Sequence, residues 1–561
     1  MVRISRRKLL TTGIGFLLVT SLIMPATTIA VPNQSPSSNG APLPSIAPVE
    51  TSSVAPEVMS QQSISGAIDA GTNLGDYLPS DMAKLKANLN SNGRNNPNVP
   101  AADTVDNGRA LNNTEGIPTA DAPALAASTW QSFAYTGWFP PDPTVAAGPS
   151  NIVASVNGGI RAFTKSGTQQ WGYTLANFFP AAAICGSSTC STSGWSVFDP
   201  WITYDNIGGR FVIVALTRNT SLQQARLIVA ASKSNYPSLG PSSFWIYSWN
   251  STLYGSSTSG DWADYEKAAT TSNAIIITMN MFSWAGYFQK VKIQTLWKSQ
   301  IYSGANASGW NNWDLAGSPF TIQPANSSAT GNVAYLLNSS SSSGSSVAFR
   351  TMTVSNTVGT APTISSPINV STASYSAPPD AQQPGTATLL DTGDSRLLQV
   401  VRTNAGIFAV HSTACIIESV TRSCLRFYQF NTSGSRIQQI TYGFSGGSYV
   451  SYPGIAANDS GSLVIPFQYS NSSTYMSSAY TGRNSAATLS TLQSSALLGS
   501  AGQGCYIKLD NSGRNRQGDY SGASWDKSLN RFVIMGERSM GTSLTCTNNS
   551  WETRIGVTVS P

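Results

Sequence analysis

The chain repeats itself, and that repeat limits the possible folds more than any other feature. Near the C-terminus stands Gly518-Asp519-Tyr520-Ser521-Gly522-Ala523-Ser524-Trp525-Asp526, followed by Arg531-Phe532-Val533-Ile534. In the first half, Phe198-Asp199-Pro200-Trp201-Ile202-Thr203-Tyr204-Asp205 leads to Arg210-Phe211-Val212-Ile213-Val214. Both units have an Asp at the head, an aromatic–Asp pair, a short spacer, Arg-Phe and a β-branched run. Similar heads recur at Asp142-Pro143, Asp264-Tyr265, Gln323-Pro324, Gln383-Pro384 and Tyr452-Pro453. With Asp199 and Asp519 included, successive spacings are 57, 65, 59, 60, 69 and 67 residues.

Short apolar runs follow these heads, at Asn151–Val156, Phe211–Leu216, Arg226–Ala231, Ala274–Met279, Leu397–Val401, Leu463–Phe467 and Phe532–Met535. Turn-rich stretches such as 205–209, 391–395, 458–461 and 526–530 separate them, which is the pattern of strands. No long segment has helical periodicity. Units of this length fit propeller blades of about four strands, because one blade cannot bury both faces until neighbours cover it. The expectation is an all-β, seven-bladed β-propeller, with six or eight blades as alternatives. Arg554–Val559 or the segment near Trp130–Tyr135 would close the ring. Innermost strands approach closely, which suits the small residues of Ser521-Gly522-Ala523 and Pro453-Gly454-Ile455-Ala456.

Residues 1–30 read as an export signal: Ser5-Arg6-Arg7-Lys8-Leu9-Leu10 resembles the twin-arginine pattern, an apolar run spans Gly13–Met24, and Thr28-Ile29-Ala30 offers a cleavage site. An uncleaved N-terminal anchor is the alternative. Residues 31–128, rich in Pro, Ser and Asn, read as a mostly disordered linker, with one short helix at 81–89. The propeller domain is expected over 129–561. The protein is therefore expected outside the cell or on its surface, with no membrane span once the signal is removed.

Charged residues are only 10% of the chain, against about 25% in ordinary globular proteins. The formal charge is +6, but Arg3, Arg6, Arg7 and Lys8 supply four of those positives, so no basic cluster remains to neutralise phosphates and nucleic acid is excluded as a partner. Few carboxylates also means few native pairings lost on acidification, which fits either an acidic medium or an ordinary Ser/Thr-rich secreted surface. Asn-x-Ser/Thr sequons at Asn219, Asn250, Asn306, Asn326, Asn338, Asn369, Asn431, Asn471 and Asn548 offer glycosylation sites to an exported chain.

The motifs together resemble a broad family of secreted microbial β-propeller-type proteins, mostly without assigned function. The resemblance rests on Phe198-Asp199-Pro200 with Tyr204-Asp205 and Arg210-Phe211; Asp264-Tyr265; Gln383-Pro384-Gly385 with Leu389, Asp394 and Arg396; His411-Ser412; Tyr480-Thr481-Gly482-Arg483; Gly518-Asp519-Tyr520-Ser521; and Trp551-Glu552-Thr553-Arg554-Ile555-Gly556. It spans roughly residues 138–561 and departs at Glu266-Lys267, where Pro-Lys is usual. It implies an extracellular propeller and supplies no catalytic residues.

Six cysteines in an exported chain suggest disulfides. Local closure favours Cys185–Cys190 and Cys415–Cys424, leaving Cys505–Cys546. No Cys-x-x-Cys motif accompanies them, and a single histidine, His411, cannot build a multi-His zinc site, so no metal site and no cofactor is expected from these residues.

The weak catalytic candidates are Asp519, Asp199, Asp264 and His411. The first three converge with Asp142 if the units superpose, and three roles are open to them. They can tie neighbouring blades through backbone N–H groups, hold Ca²⁺ through oxygen ligands, or act as the carboxylate pair of a glycosidase. His411 is a candidate general base, although lone strand histidines are usually packed. Arg483, Arg514 and Arg516 form a candidate anion-binding group beside Asp519. A sialidase-like site is disfavoured because Ser166-Gly167-Thr168-Gln169-Gln170-Trp171 lacks the Asp of the usual box. Trp138, Trp195, Trp245, Trp249, Trp262, Trp284, Trp310 and Trp313 offer either stacking platforms or packing between blades. The function expected is a secreted or cell-surface binding or adhesion propeller for a carbohydrate or surface protein. The alternative is an extracellular polysaccharide hydrolase or lyase using carboxylates at the channel mouth.

Overall fold

Each turn signal in the sequence folds a strand back on its predecessor. Asp205 Oδ1 accepts the Ile207 N–H at 3.0 Å, Gly209 takes a left-handed φ of 64°, and Ser196–Asp205 then pairs antiparallel with Arg210–Asn219 from Asp205 and Arg210 outward. The same side-chain-to-backbone device recurs at Asn458, which accepts from Ser460 and Ser462 N–H, and at Asp526, which accepts from Ser528 N–H. Short Asx turns of this kind favour tight antiparallel meanders.

The computed structural model describes residues 39–50, 99–106, 129–541, 546 and 550–559. It is an all-β propeller with six blades, the alternative count, rather than the expected seven. The sheets follow one another along the chain, each starting at the centre and stepping outward. The strands nearest the axis are Thr144–Ala147, Ser196–Asp205, Asp261–Thr270, Gln323–Pro324 with Asn326–Ser327, Ala456–Ala457 and Gly522–Asp526, and Asn326–Ser327 pairs parallel with Gln399–Thr403. Both expected closing segments take part: Trp130–Ala134 pairs with Ser550–Val559 on the sheet that begins at Gly522. Apolar faces fill the gaps between neighbouring sheets. Ile213 and Ile228 pack on Val153 and Ile160, and Val533 and Met535 pack on Ile152 and Ala154 where the last sheet meets the first. The close approach expected of the innermost strands is present at Gly454, where a Cβ would overlap the Ser521 carbonyl.

Two further corrections apply to the sequence reading. The head assigned at Gln383-Pro384 does not open a strand; Asp394-Ser395-Arg396 precedes Gln399–Thr403 instead. Gln383 is a clamp, donating to the Tyr506 carbonyl at 2.7 Å and accepting its N–H at 2.8 Å. Second, the 31–128 linker contributes strands. Asn39–Ile46 adds antiparallel to the outer edge at Ala307–Trp313, and Thr104–Asp106 adds parallel to Arg436–Phe444. Asp106 anchors the second one, accepting from the Tyr442 hydroxyl at 2.5 Å and Ser495 N–H at 2.8 Å. Both segments cover strand edges that would otherwise template aggregation, a role that a Pro- and Ser-rich composition hides. The export signal, the helix expected at 81–89 and Asn548 lie outside the described residues.

The three disulfides are Cys185–Cys190, Cys415–Cys424 and Cys505–Cys546, as expected, with Cα separations of 6.1, 5.9 and 5.1 Å. Among the described residues no helix is long and apolar enough to cross a membrane. Several sequons have structural uses instead. Asn219 and Asn471 are buried and cap turns, and Asn326 Oδ1 accepts from Thr270 N–H. Asn250, Asn306 and Asn369 are exposed.

Candidate functional site

The Asp residues singled out by repetition do converge. Asp142, Asp199, Asp264 and Asp519 stand at or beside the heads of their innermost strands, close enough that Asp142, Asp199 and Asp519 act on Lys267 and that Asp199 and Asp264 act on Glu266. The heads share an unusual backbone: Asp142, Asp199, Tyr265 and Tyr452 have φ of 52°, 48°, 55° and 51°. Asp tolerates the left-handed region better than most residues, which is one reason it recurs here. The strands at Asp199 and Asp264 also slip register just after these positions, and such bulges turn side chains toward the axis.

Asp142 ties three strand heads together. Its Oδ1 accepts the Asp519 N–H at 2.9 Å and its Oδ2 accepts from the Asn157 side chain at 2.9 Å. Asn157 in turn accepts the Asp199 N–H at 2.8 Å. The Asp519 carboxylate is clasped by Arg516 Nη2 at 2.7 and 2.8 Å. Asp394 takes three bonds of 2.6–2.9 Å from the Arg396 guanidinium, which also lies over the Tyr265 and Phe320 rings. Tyr452 donates its hydroxyl to Asp391 at 3.1 Å; burial, and then the charges of Asp391 and Asp519, push its ionisation well above the ordinary value.

These groups line a cavity of about 20 Å³ bounded by Tyr265, Asp391, Asp394, Arg396, Tyr452 and Asp519, among others. That is room for roughly one water molecule. Deeper in, Lys267 points into the channel. Its ammonium sits 3.9 Å from the Tyr265 ring centre, 4.1 Å from Tyr520 and 4.6 Å from Trp201. Burial lowers its pKa despite Glu266, Asp199, Asp142 and Asp519 nearby. Glu266 is fully buried, no other side chain bonds its carboxyl group, and burial followed by the Asp199 charge pushes its pKa well above the usual carboxylate range. Glu537 is shifted the same way by burial and by Asp142, while one of its oxygens accepts from Gln468 at 3.1 Å.

Other sequence candidates fall elsewhere. His411 is buried in a strand, with Nδ1 2.9 Å from the Ser395 carbonyl and Nε2 3.1 Å from the Tyr428 hydroxyl. It stacks on Tyr428, and burial and then Arg426 pull its pKa down to about 3; it is packed as a core residue. Arg483 donates to the Ala487 carbonyl at 2.6 Å and does not line the cavity. Arg514 does line it, but is bound to Asp510 at 2.8 Å. The three arginines thus do not form one anion group. Trp249 and Trp262 are buried, and Trp313 is stacked on Tyr254 at 5.0 Å, so these tryptophans serve packing. Among the described residues, no group of three or more His, Cys, Asp or Glu side chains is arranged to hold a metal ion.

Sequence reasoning passed over Asp391, Glu266, Lys267 and Glu537. Glu266 and Lys267 were visible only as a departure from the Pro-Lys pattern, and Glu537 carried no local signal at all.

No protein-family model matches the chain, and no curated protein matches it. Among solved structures it is similar to the Dos1 propeller, at 7% identity over 77% of this chain and 82% of that one, TM-score 0.33. It is also similar to a protein of unknown function from Dyadobacter fermentans, at 8% identity over 79% and 99%, TM-score 0.31. An exo-β-1,3-galactanase from Clostridium thermocellum gives 10% identity over 78% and 96%, TM-score 0.28. At these scores none of them lends a residue to the site.

Proposed function

We propose that this chain is an exported binding or adhesion propeller, with a carbohydrate or a surface protein as ligand. Three disulfides fit an oxidising compartment. The exposed Asn250, Asn306 and Asn369 are then the sequons open to glycosylation.

One observation carries the preference for binding over cleavage: the carboxylates at the Asp-lined mouth are spent on the scaffold. Asp142 holds the backbone of Asp519, Asp519 holds Arg516, and Asp394 holds Arg396, around a space of about 20 Å³. A glycosidase needs two carboxyls facing each other across a substrate, about 5–9.5 Å apart, with room for a sugar between them. The hydrolase or lyase reading is favoured by one feature only: Glu266 has its pKa pushed up beside Asp199, the split in ionisation that acid–base pairs use.

A glycan array combined with a polysaccharide-cleavage screen, on wild type and Asp519→Ala, separates the two. The binding reading expects retention on the array or on surface protein with no chain cleavage. Cleavage by the wild type that Asp519→Ala abolishes would replace it with the enzyme reading.

A further inference from the structure

The opposite mouth of the channel differs in both space and chemistry. There the innermost strands end, at Tyr204, Thr403, Ala457 and Trp525. A channel segment of about 50 Å³ runs from Lys267 to these ends, lined by Asn326, Gln399, Ser524 and Trp525 among others. Tyr204 and Asn206 also line an adjoining cavity of about 220 Å³, which is completed by Ala147, Gly148, Pro149, Asp526, Lys527 and Ser528. A cavity of about 150 Å³ accepts a six-membered ring, so this one admits a pyranose with its hydroxyls. Gly148 lets the wall pack closely: a Cβ there would stand 2.8 Å from both the Phe211 and Tyr204 rings.

The charges around this cavity are already matched. Lys165 reaches Asp526 at 2.6 Å, and Lys527 reaches Asp459 at 2.9 Å on the rim. What remains for a ligand is the Tyr204 ring with Pro149 beside it, the Asn206 amide, and the Ser528 hydroxyl oxygen, whose proton goes to Asp526 at 2.6 Å and which is left to accept. An apolar face with a few fixed polar groups, and no uncompensated charge, selects a neutral polyhydroxyl ligand.

We propose that this strand-end mouth is the ligand site, and that it takes a neutral sugar unit at the end of a carbohydrate chain. This inference rests on the binding reading and goes beyond it in naming the mouth and the ligand class. The sugar ring lies against Tyr204 in the 220 Å³ cavity, with Asn206 and Ser528 bonding its hydroxyls and Lys527 at the rim.

The test uses the full exported chain, with Asn206→Trp and Ser528→Trp as blocking variants on partly exposed and exposed positions, where folding is not at stake. Probes are neutral gluco-, manno- and galacto-oligosaccharides, the corresponding free monosaccharides, and uronic-acid oligosaccharides, followed by calorimetry. The expected result is binding of neutral oligosaccharides that weakens at least tenfold in both variants, whose thermal midpoints stay at the wild-type value. Weaker binding of the monosaccharides than of the oligosaccharides supports a chain end over a free sugar. Neutral-sugar affinity unchanged in both variants, or binding confined to uronic oligosaccharides, overturns the inference. A wild type that ignores every glycan but captures a surface protein overturns it too, while leaving the binding reading intact. Cleavage that depends on Asp519 overturns the binding reading itself.

Discussion

The two ends of one channel are built from opposite ends of the same strands, and they spend their polar groups differently. At the strand heads, Asp391, Asp394 and Asp519 meet Arg396, Arg514 and Tyr452 around space for one water. At the strand ends Asp526 and Lys527 in the wall are each paired with a residue outside it, and an open, charge-matched cavity of about 220 Å³ remains. Repetition explains the contrast. A residue copied into most units solves a problem that every unit has, which is how to enter the innermost strand and hold the neighbouring one. A ligand site needs one asymmetric place, and the strand ends, which vary from sheet to sheet, provide it.

This contrast is open to attack first at Asp519. Replacing it with Ala removes the carboxylate clasped by Arg516, whose side chain is 1% exposed, and breaking a buried pair costs about 3–5 kcal/mol. Denaturant unfolding measures it, and a loss under 1 kcal/mol would mean the pair is not holding the mouth together. Next is the Cys505–Cys546 bridge, which closes 41 residues, against the Cys185–Cys190 bridge, which closes 5. The longer loop confines the unfolded chain more, so its removal costs about 4 kcal/mol and the shorter one about 2 kcal/mol. Equal losses would point to native-state effects instead. Asp142→Ala removes the side-chain acceptor of the buried Asp519 N–H and leaves the Asn157 amide only the Pro140 carbonyl, for about 1–3 kcal/mol. Asn206→Ala, at the other mouth, changes stability by no more than about 0.5 kcal/mol. If it destabilises as much as Asp142→Ala, the division of labour between the mouths fails.

A pH series sharpens the comparison further. Glu266 and Glu537 have folded pKa values raised above the ordinary 4.5. Each binds its proton more tightly in the folded state, so its stabilising contribution is complete below about pH 4.5 and is lost as pH rises through the folded value. His411 acts in the other direction. Its pKa falls from 6.5 to about 3, so stability is lost as pH drops from about 6.5 towards 3. Unfolding free energies measured from pH 3 to 8 are expected to fall less on the alkaline side in a Glu266→Gln, Glu537→Gln variant, and less on the acid side in His411→Gln. Curves parallel to wild type would remove these groups from the account.

Much of this was readable in the sequence. The β-branched runs and Asx turns gave strands and hairpins, because both depend on neighbours in the chain. Cysteine spacing gave the three bridges. The Asp heads were found by repetition, and their convergence followed from the ring. What stayed hidden depends on distant partners. Asp394 and Arg396 were displaced by a false head at Gln383-Pro384, whose Pro mimics the others but whose side chain serves Tyr506, 123 residues away. The edge-covering strands at Asn39–Ile46 and Thr104–Asp106 have little apolar periodicity, because each uses an existing edge rather than a core. The strand-end cavity leaves no motif at all: its lining comes from turns after three different strands, and only their juxtaposition makes a site.

The central claim is that the strand-head mouth holds the ring and the strand-end mouth holds the ligand. The direct measurement is a parallel calorimetric titration of wild type, Asp519→Asn and Asn206→Trp with neutral oligosaccharides, each paired with its unfolding free energy. Asp519→Asn is expected to lose stability and keep its affinity, whereas Asn206→Trp keeps its stability and loses at least tenfold in affinity. The reverse pattern, with affinity lost at Asp519 and preserved at Asn206, would contradict it.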